Sequence, residues 1–557
     1  MDRLLRVVGL VLAATLCYSQ APPLVGVLSD ELNRNFQALK EKGDPPPYFM
    51  AYEVTEEEAC SVAATMGALE SSRCAHSRVL DVTVRVGSPK LDNYHRVQGE
   101  RASFTSAARL PIEDVAGASR LAIWRETDRV YRLAAERLIK IRTSTQVQVA
   151  REDESPDFSV EKPSTYVEQP QHLNFPASQW EGRAKRWSEV FNNRPSILTS
   201  QVGVLIRRQN KYLVTTEGTS VVHGRGFARI AISATARAMD GMDLAMGETL
   251  EAEELPGLSG EDKVLATAQR VANQLEALRM APVAEPLVGP AILSGRAAGV
   301  FFHEIFGHRV EGHRQKDESE GQTFTKSLGQ KVLPEFLSVY FDPTLRNAAG
   351  SDLYGSYRYD DEGIPTRKVD VVVNGILKTF LMSRSPVLNI DASNGHGRRE
   401  PGYEAVSRQS NLIVESGKTV SEDRLREMLK QEIRRQNKPY GLYFEQVTGG
   451  YTQTRRSGLQ AFAVQPVVVY RVYPDKRPDE LVRGVDIVGT PLASFSKILA
   501  TSDQPAVFNG YCGAESGNVP VSAVSPALLV SEIETQRKEK STARPPLLPR
   551  PVPGIAP

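Results

Sequence analysis

Residues 301–313 gather His303, Glu304, His308, Glu311 and His313 into eleven positions of a chain that has eight histidines in all. Imidazoles and carboxylates at that density suit a metal ion with a carboxylate left over as a base. In the helical HExxH pattern, histidines at i and i+4 share one face and the glutamate beside the first acts as base. Here the spacing is HExxxH. Five residues turn a regular helix by about 500°, which leaves the two imidazoles roughly 140° apart and unable to share an ion. A π-bulge, or a helix that stops near Gly307, would bring them together. Without such a distortion the motif is a polar helix end that meets solvent. The flanking Phe301, Phe302, Ile305 and Phe306 argue for burial. Buried imidazoles and carboxylates need compensation, which a metal supplies. Two histidines do not close a site, so a further ligand must come from elsewhere. Cys512, in the glycine-rich stretch 508–517, is the candidate. Taken alone, it reads more readily as an ordinary buried cysteine.

Taken together, the two stretches resemble the TldD/PmbA (TldD/TldE) family of metallopeptidases, also called modulators of DNA gyrase. The segments 359–365, 374–381 and 395–399 and Val519-Pro520-Val521 are similar to landmarks of that family, and the specific coverage runs from about Pro286 to Glu534. The resemblance implies that His303, His308 and Cys512 are zinc ligands and that Glu304 is the general base. It also implies a dimer, with a second copy or a family relative, that encloses the sites and admits short or unfolded peptides.

Two imidazoles and a thiolate form an open zinc site with a fourth position for water. The ion acidifies that water and polarises a carbonyl, and Glu304 takes the proton and later delivers it to the leaving amine. The expected reaction is therefore peptide-bond hydrolysis by a metal-bound water. The competing reading is an exported scaffold, stabilised by zinc and without turnover, or a non-catalytic partner subunit. Ligand count separates the two. If Glu311 or His313 also bound the ion, the site would be closed.

The elements that must hold these residues can be read around them. Ser294 suits the N-cap of a helix leading into the motif. Residues 1–19 read as an export signal: Arg3 and Arg6 precede the apolar run 7–16, and cleavage falls after Ser19. The run is shorter than the roughly 20 residues a membrane span needs, so the mature chain is expected to be periplasmic or secreted, without stable membrane insertion. Basic and acidic side chains number 68 and 67, which gives no electrostatic case for nucleic acid. Once Cys17 is removed with the signal, Cys60 and Cys74 can pair and leave Cys512 for metal. A single strand over 61–70, however, would hold them about 30 Å apart.

The expected class is α+β. Residues 20–285 form an N-terminal domain of antiparallel sheet with helices. Residues 286–540 form a mostly antiparallel β domain with the metal helix near its start, and 541–557 form a disordered tail rich in proline and arginine. Helices are expected over 29–42, 118–141 (with Leu121, Trp124, Val130, Leu133 and Leu138 as the apolar stripe), 178–191 and 261–278. Strands are expected over 48–54, 61–70 and 78–86, with hairpins across Gln209-Asn210 and Asn374-Gly375. Trp180 and Trp187 lie seven apart and suit core packing. Asp360, Asp361 and Glu362 suit a hydrogen-bonded turn before Gly363.

Overall fold

Alternating apolar residues between 47 and 88 fold into one long hairpin, β1 (Pro47–Thr65) and β2 (Ala68–Ser88), turned at Met66 and Gly67, both with positive φ. The structure is a computed structural model, and it describes residues 22–97, 100–145, 153–456, 461–490 and 494–538. The expected export signal and tail lie outside the described residues.

The hairpin corrects the expected strand over 61–70. Only Gly67 marked the turn, since Met66 is an unusual residue for φ > 0. The correction also removes the distance problem, because Cys60 and Cys74 are cross-strand partners joined by a disulfide with Cα atoms 4.1 Å apart.

The N-terminal sheet continues with β3 (Ile197–Thr215), β4 (Ser220–Arg237) and β5 (Asp243–Ala252), in the antiparallel order β2-β1-β3-β4-β5. The hairpin expected at Gln209-Asn210 is absent. Those residues pair with Glu57 and Glu56 in mid-strand, and the chain turns instead at Gly218, whose φ is +98°.

The period of two along β1 separates the faces of this sheet. Met50, Tyr52 and Val54 pack under α1 (Pro23–Lys42) and α2 (Ala116–Thr145). Cys60, Val62 and Ala64, on the same face, pack under α3 (Ala177–Ser188) and α4 (Glu261–Met280), where Trp180 and Trp187 meet edge to face at 6.2 Å. On α2 the buried apolar residues are Ile123, Val130, Ala134, Leu138 and Ile141, whereas Leu121, Trp124 and Leu133 of the expected stripe face solvent. The odd-numbered face of β1 looks toward the C-terminal half. There Lys211 pairs with Glu53 and Asp361, and Arg399 lies 3.6 Å from Glu53.

Among the described residues, the C-terminal half carries a twelve-stranded, mostly antiparallel sheet. Its principal elements are β6 (Val288–Leu293), α5 (Gly295–Ile305), β7 (Leu337–Phe341), β8 (Val369–Val373), β9 (Asn411–Ser416), α6 (Glu422–Arg435), β10 (Gly441–Thr452), β11 (Phe462–Val472), β12 (Val485–Gly489), β13 (Ile498–Ala514) and β14 (Gly517–Arg537). Strands β6, β10, β11, β12 and the end of β14 pair in a closed ring. The Asn374-Gly375 turn forms as expected, with φ of 48° and 78°. Helix α6, capped by Ser421 and burying Leu425, Leu429 and Ile433, was not anticipated. Nor was the long β13–β14 hairpin, which places Cys512 on a strand rather than in a loop. No helix among the described residues is long and apolar enough to cross a membrane.

A covalent link between residues 14 apart should stabilise the fold by about 3 kcal/mol. Denaturant melts of the Cys60→Ala/Cys74→Ala protein should show a loss of that order, with an m-value equal to or above that of the cross-linked protein as the unfolded chain expands.

Candidate metal centre

Helix α5 begins where the Ser294 hydroxyl accepts the Ala297 N–H at 3.2 Å. Gly295 and Gly299 let β14 approach it. A Cβ at Gly295 would lie 2.6 Å from the Ser525 carbonyl, and one at Gly299 would lie 3.1 Å from that of Ala523. Phe301, Phe302 and Phe306 are fully buried against Phe462, Phe324 and Phe495. Burying such side chains contributes roughly 1.5–3 kcal/mol each, which holds the polar residues between them in the interior.

The helix stops at Ile305, and a 3-10 turn, Gly307–Val310, carries His308. Of the two distortions that HExxxH allows, this is the helix that ends. Its freed carbonyls are caught by side chains. Arg309 donates to the carbonyls of Glu304 (3.0 Å) and Ile305 (3.3 Å), and Gln409 donates to that of His303 (3.3 Å). The two imidazoles thereby come to a ring separation of 5.0 Å at an 81° interplanar angle.

Cys512 arrives from β13. Its Sγ lies 3.3 Å from Nε2 of His308, and the ligand atoms of His303, His308 and Cys512 all lie within 4.8 Å of one another, buried. Ordinary Zn–N and Zn–S bond lengths put ligand atoms of a tetrahedral ion roughly 3.3–3.7 Å apart. The three donors therefore fit such an ion after a small contraction. Among the described residues no other group of this kind occurs. Burial alone would push the Cys512 thiol up, but His308, Arg408 and His303 outweigh it and hold the thiol well below its ordinary range. The thiolate is the metal-binding form.

Glu311 and His313 are turned elsewhere. Glu311, fully buried, places Oε2 3.2 Å from Nδ1 of His308, the ring nitrogen away from Cys512, and 2.8 Å from Nε of Arg314. Its other oxygen lies 3.5 Å from Nε of Arg408. Arg408 in turn donates to the carbonyl of Cys512 and to Ser516 Oγ. His313 pairs with Glu515, which also binds Arg314 at 2.9 Å. The sequence signalled Glu311 only as a further ligand. Its orienting position and the part played by Arg408, nearly a hundred residues away, carried no local signal.

Glu304 is buried beside His303, and burial raises its carboxyl above the usual value. Gly450, in mid-strand of β10, makes room for it, since a Cβ there would lie 2.7 Å from Glu304 Cγ. Two clefts, of about 320 and 350 Å³, both border His303, Glu304, Gly450 and Tyr511 and give access to the site. Asp360 forms the expected turn, its Oδ1 accepting the N–H groups of Glu362 and Ile364.

A helix interrupted between two imidazoles, a thiolate from a distant hairpin and a carboxylate at an open cleft together form a candidate metal centre. Residues 288–537 match the model of the PmbA/TldA metallopeptidase C-terminal domain. Over these residues the chain is similar to the PmbA/TldD metallopeptidase family. It is similar to a metalloprotease of Methanocaldococcus jannaschii, 29% identical over 231 residues, 41% of this chain and 47% of that one. It is also similar to a zinc metalloprotease TldD homolog of Saccharolobus solfataricus, 25% identical over 354 residues, 62% and 73% of the two chains. The chain thus spans about half the length of the first relative (47%). TldE from Thermococcus kodakarensis shares the fold, with a TM-score of 0.59 at 14% identity over 90% of this chain and 99% of that one.

The carboxylate behind His308 fixes its ring, and second-layer partners of this kind change metal affinity by roughly 10–100-fold. Glu311→Gln should weaken zinc binding by that range in a chelator competition, with the folded far-UV signal retained.

Proposed function

We propose that the protein is a zinc-dependent peptidase that hydrolyses short or unfolded peptides, with His303, His308 and Cys512 as metal ligands and Glu304 as general base. The observation that carries this reading is the convergence of three buried donors within 4.8 Å beside a carboxylate that borders open clefts. Zinc is favoured by the mixed imidazole and thiolate donors. When bound, it would acidify a water and polarise a peptide carbonyl.

The chain's own residues do the rest. Glu311 and Arg408 hold His308 and the Cys512 strand in place. Glu304, in a partly dry site that raises its proton affinity, accepts a proton from the attacking water and delivers it to the leaving amine. The clefts take an extended segment more readily than a folded domain. The scaffold reading needs a fourth protein ligand, and the orientation of Glu311 and His313 away from the donor set weighs against it.

The working form in this proposal is a dimer, either of two copies or with a family relative of the TldE kind. It operates outside the cytoplasm, in the periplasm or secreted. The Cys60–Cys74 disulfide supports that location, since such bonds persist in oxidising compartments.

Glu304→Gln and the unmutated protein should both retain zinc, while cleavage of an unstructured peptide falls by about 10²–10⁴-fold in the variant. Zinc in both proteins with equal cleavage would remove Glu304 from the chemistry, and absence of zinc from both would remove the metal reading.

A further inference from the structure

The helix-free face of the N-terminal sheet looks across at the C-terminal half over a cavity of about 890 Å³, larger than both clefts at the metal centre. Odd-numbered residues of β3 and β4 point into it, as the period of two requires. Among the described residues, two guanidiniums in this cavity have no carboxylate partner. Arg225 gives Nε and Nη2 to the neutral Oε1 of Gln209, at 3.0 and 2.7 Å. Arg398, 4% exposed, donates Nη1 to the carbonyl of Gln409 and lies 4.5 Å over the ring of Tyr357.

The other cations here are answered differently. Arg207 reaches Glu57 at 3.4 Å, Lys211 reaches Glu53 at 3.3 Å, and Arg346 reaches Glu253 at 2.7 Å. The carboxylates without a cation are already taken by N–H donors, Asp352 by Glu253 N and Glu400 by Asn518 N. Burial pushes the Arg398 guanidinium down, Tyr357 and Asp361 oppose this, and the charge of Arg225 adds to it, which places the two cations within each other's field. An arginine has five donors, and both of these leave most of theirs unused.

His223 adds a third group. It is 8% exposed, borders the cavity beside the ring of Tyr359, and its imidazole has no hydrogen bond to the protein among the described residues. Burial and the neighbouring Lys211 hold it down at about 3, so it is a neutral imidazole with a donor and an acceptor to offer.

We propose that this cavity is a carboxylate-binding chamber in which Arg225 and Arg398 receive the C-terminal carboxylate of a peptide and His223 donates a hydrogen bond to it. Planar forks suit a carboxylate geometrically, and charge-assisted pairs are the strong ones. The peptide is assigned as the bearer because Tyr511, next to Cys512 in β13, borders this cavity and both metal clefts. A chain held here by its end therefore lies beside the metal centre. That assignment of the bearer rests on the peptidase reading.

The test is calorimetric binding of N-acetyl-hexaalanine, as the free acid and as the C-terminal amide, to the full-length Glu304→Gln protein. The acid should bind about 10–100-fold tighter than the amide, the size of a charged hydrogen-bond pair. The difference should vanish in Glu304→Gln/Arg225→Gln and be partly restored by Arg225→Lys, which keeps the charge and loses the fork. Arg225 is half-buried and is the residue to vary, since replacing the buried Arg398 risks the fold. Equal affinity for acid and amide, or a preference that survives Arg225→Gln, overturns the proposal. Competition by acetate at the same concentration as the peptide acid assigns the chamber to free carboxylates and overturns the peptide part. Binding is read with peptide integrity checked after each titration, so these outcomes are independent of whether the unmutated protein cleaves either peptide.

Discussion

The C-terminal half depends on the interruption of one helix. If α5 continued past Ile305, His308 would be carried away from His303 and the donors could not converge. Stopping a helix in the interior strands its last carbonyls, and stranded buried acceptors cost free energy comparable to lost hydrogen bonds. Arg309 and Gln409 meet that demand from the side. Gly307 permits it, because a Cβ there would collide with the Gln409 side chain. The residues that make the break tolerable are thus the ones that make a metal site geometrically available.

Behind the donors lies a layer of buried charge linking two distant pieces of chain. Glu311 and Arg314 belong to the turn that follows His308. Arg408 and Glu515 belong to the strand region and hairpin that present Cys512. Such buried pairs add little net stability, because desolvation offsets much of their attraction. Their effect is positional: removing any partner leaves an unanswered charge, so the turn and hairpin are held in one register. The same layer occupies Glu311 and His313, which leaves three donors facing one another.

Much of this was legible in the sequence, for local reasons. Ser294 as a cap, the HExxxH spacing and the Asn374-Gly375 turn depend on neighbouring residues, and all have the expected local form. The α+β class followed from helices and strands with clear periods. What escaped the sequence was non-local or weakly marked. A Met-Gly turn carries half the usual signal, so the β1–β2 hairpin was read as a strand running straight through it. Gly450 lies within β10, where Glu304 needs the space, and no local pattern marks that. Leu121, Trp124 and Leu133 had helical spacing, but which side of α2 meets the sheet is decided by contacts the sequence does not show.

The two halves meet along a face that a single sheet of this kind would normally leave to solvent. Among the described residues, helices cover the even-numbered face of β1, while the odd-numbered face carries Phe49 and Ala51 at its start and then Glu53, Thr55 and Glu57. A polar inner face cannot close as a dry core, because its charges need partners and room. The partners come from Asp361 and Arg399, and the room remains as the large cavity. An apolar face would have fused the halves into one core and left no chamber beside the metal centre. The polar alternation of β1, β3 and β4 is therefore a structural condition for that cavity, as well as the source of the charges that line it.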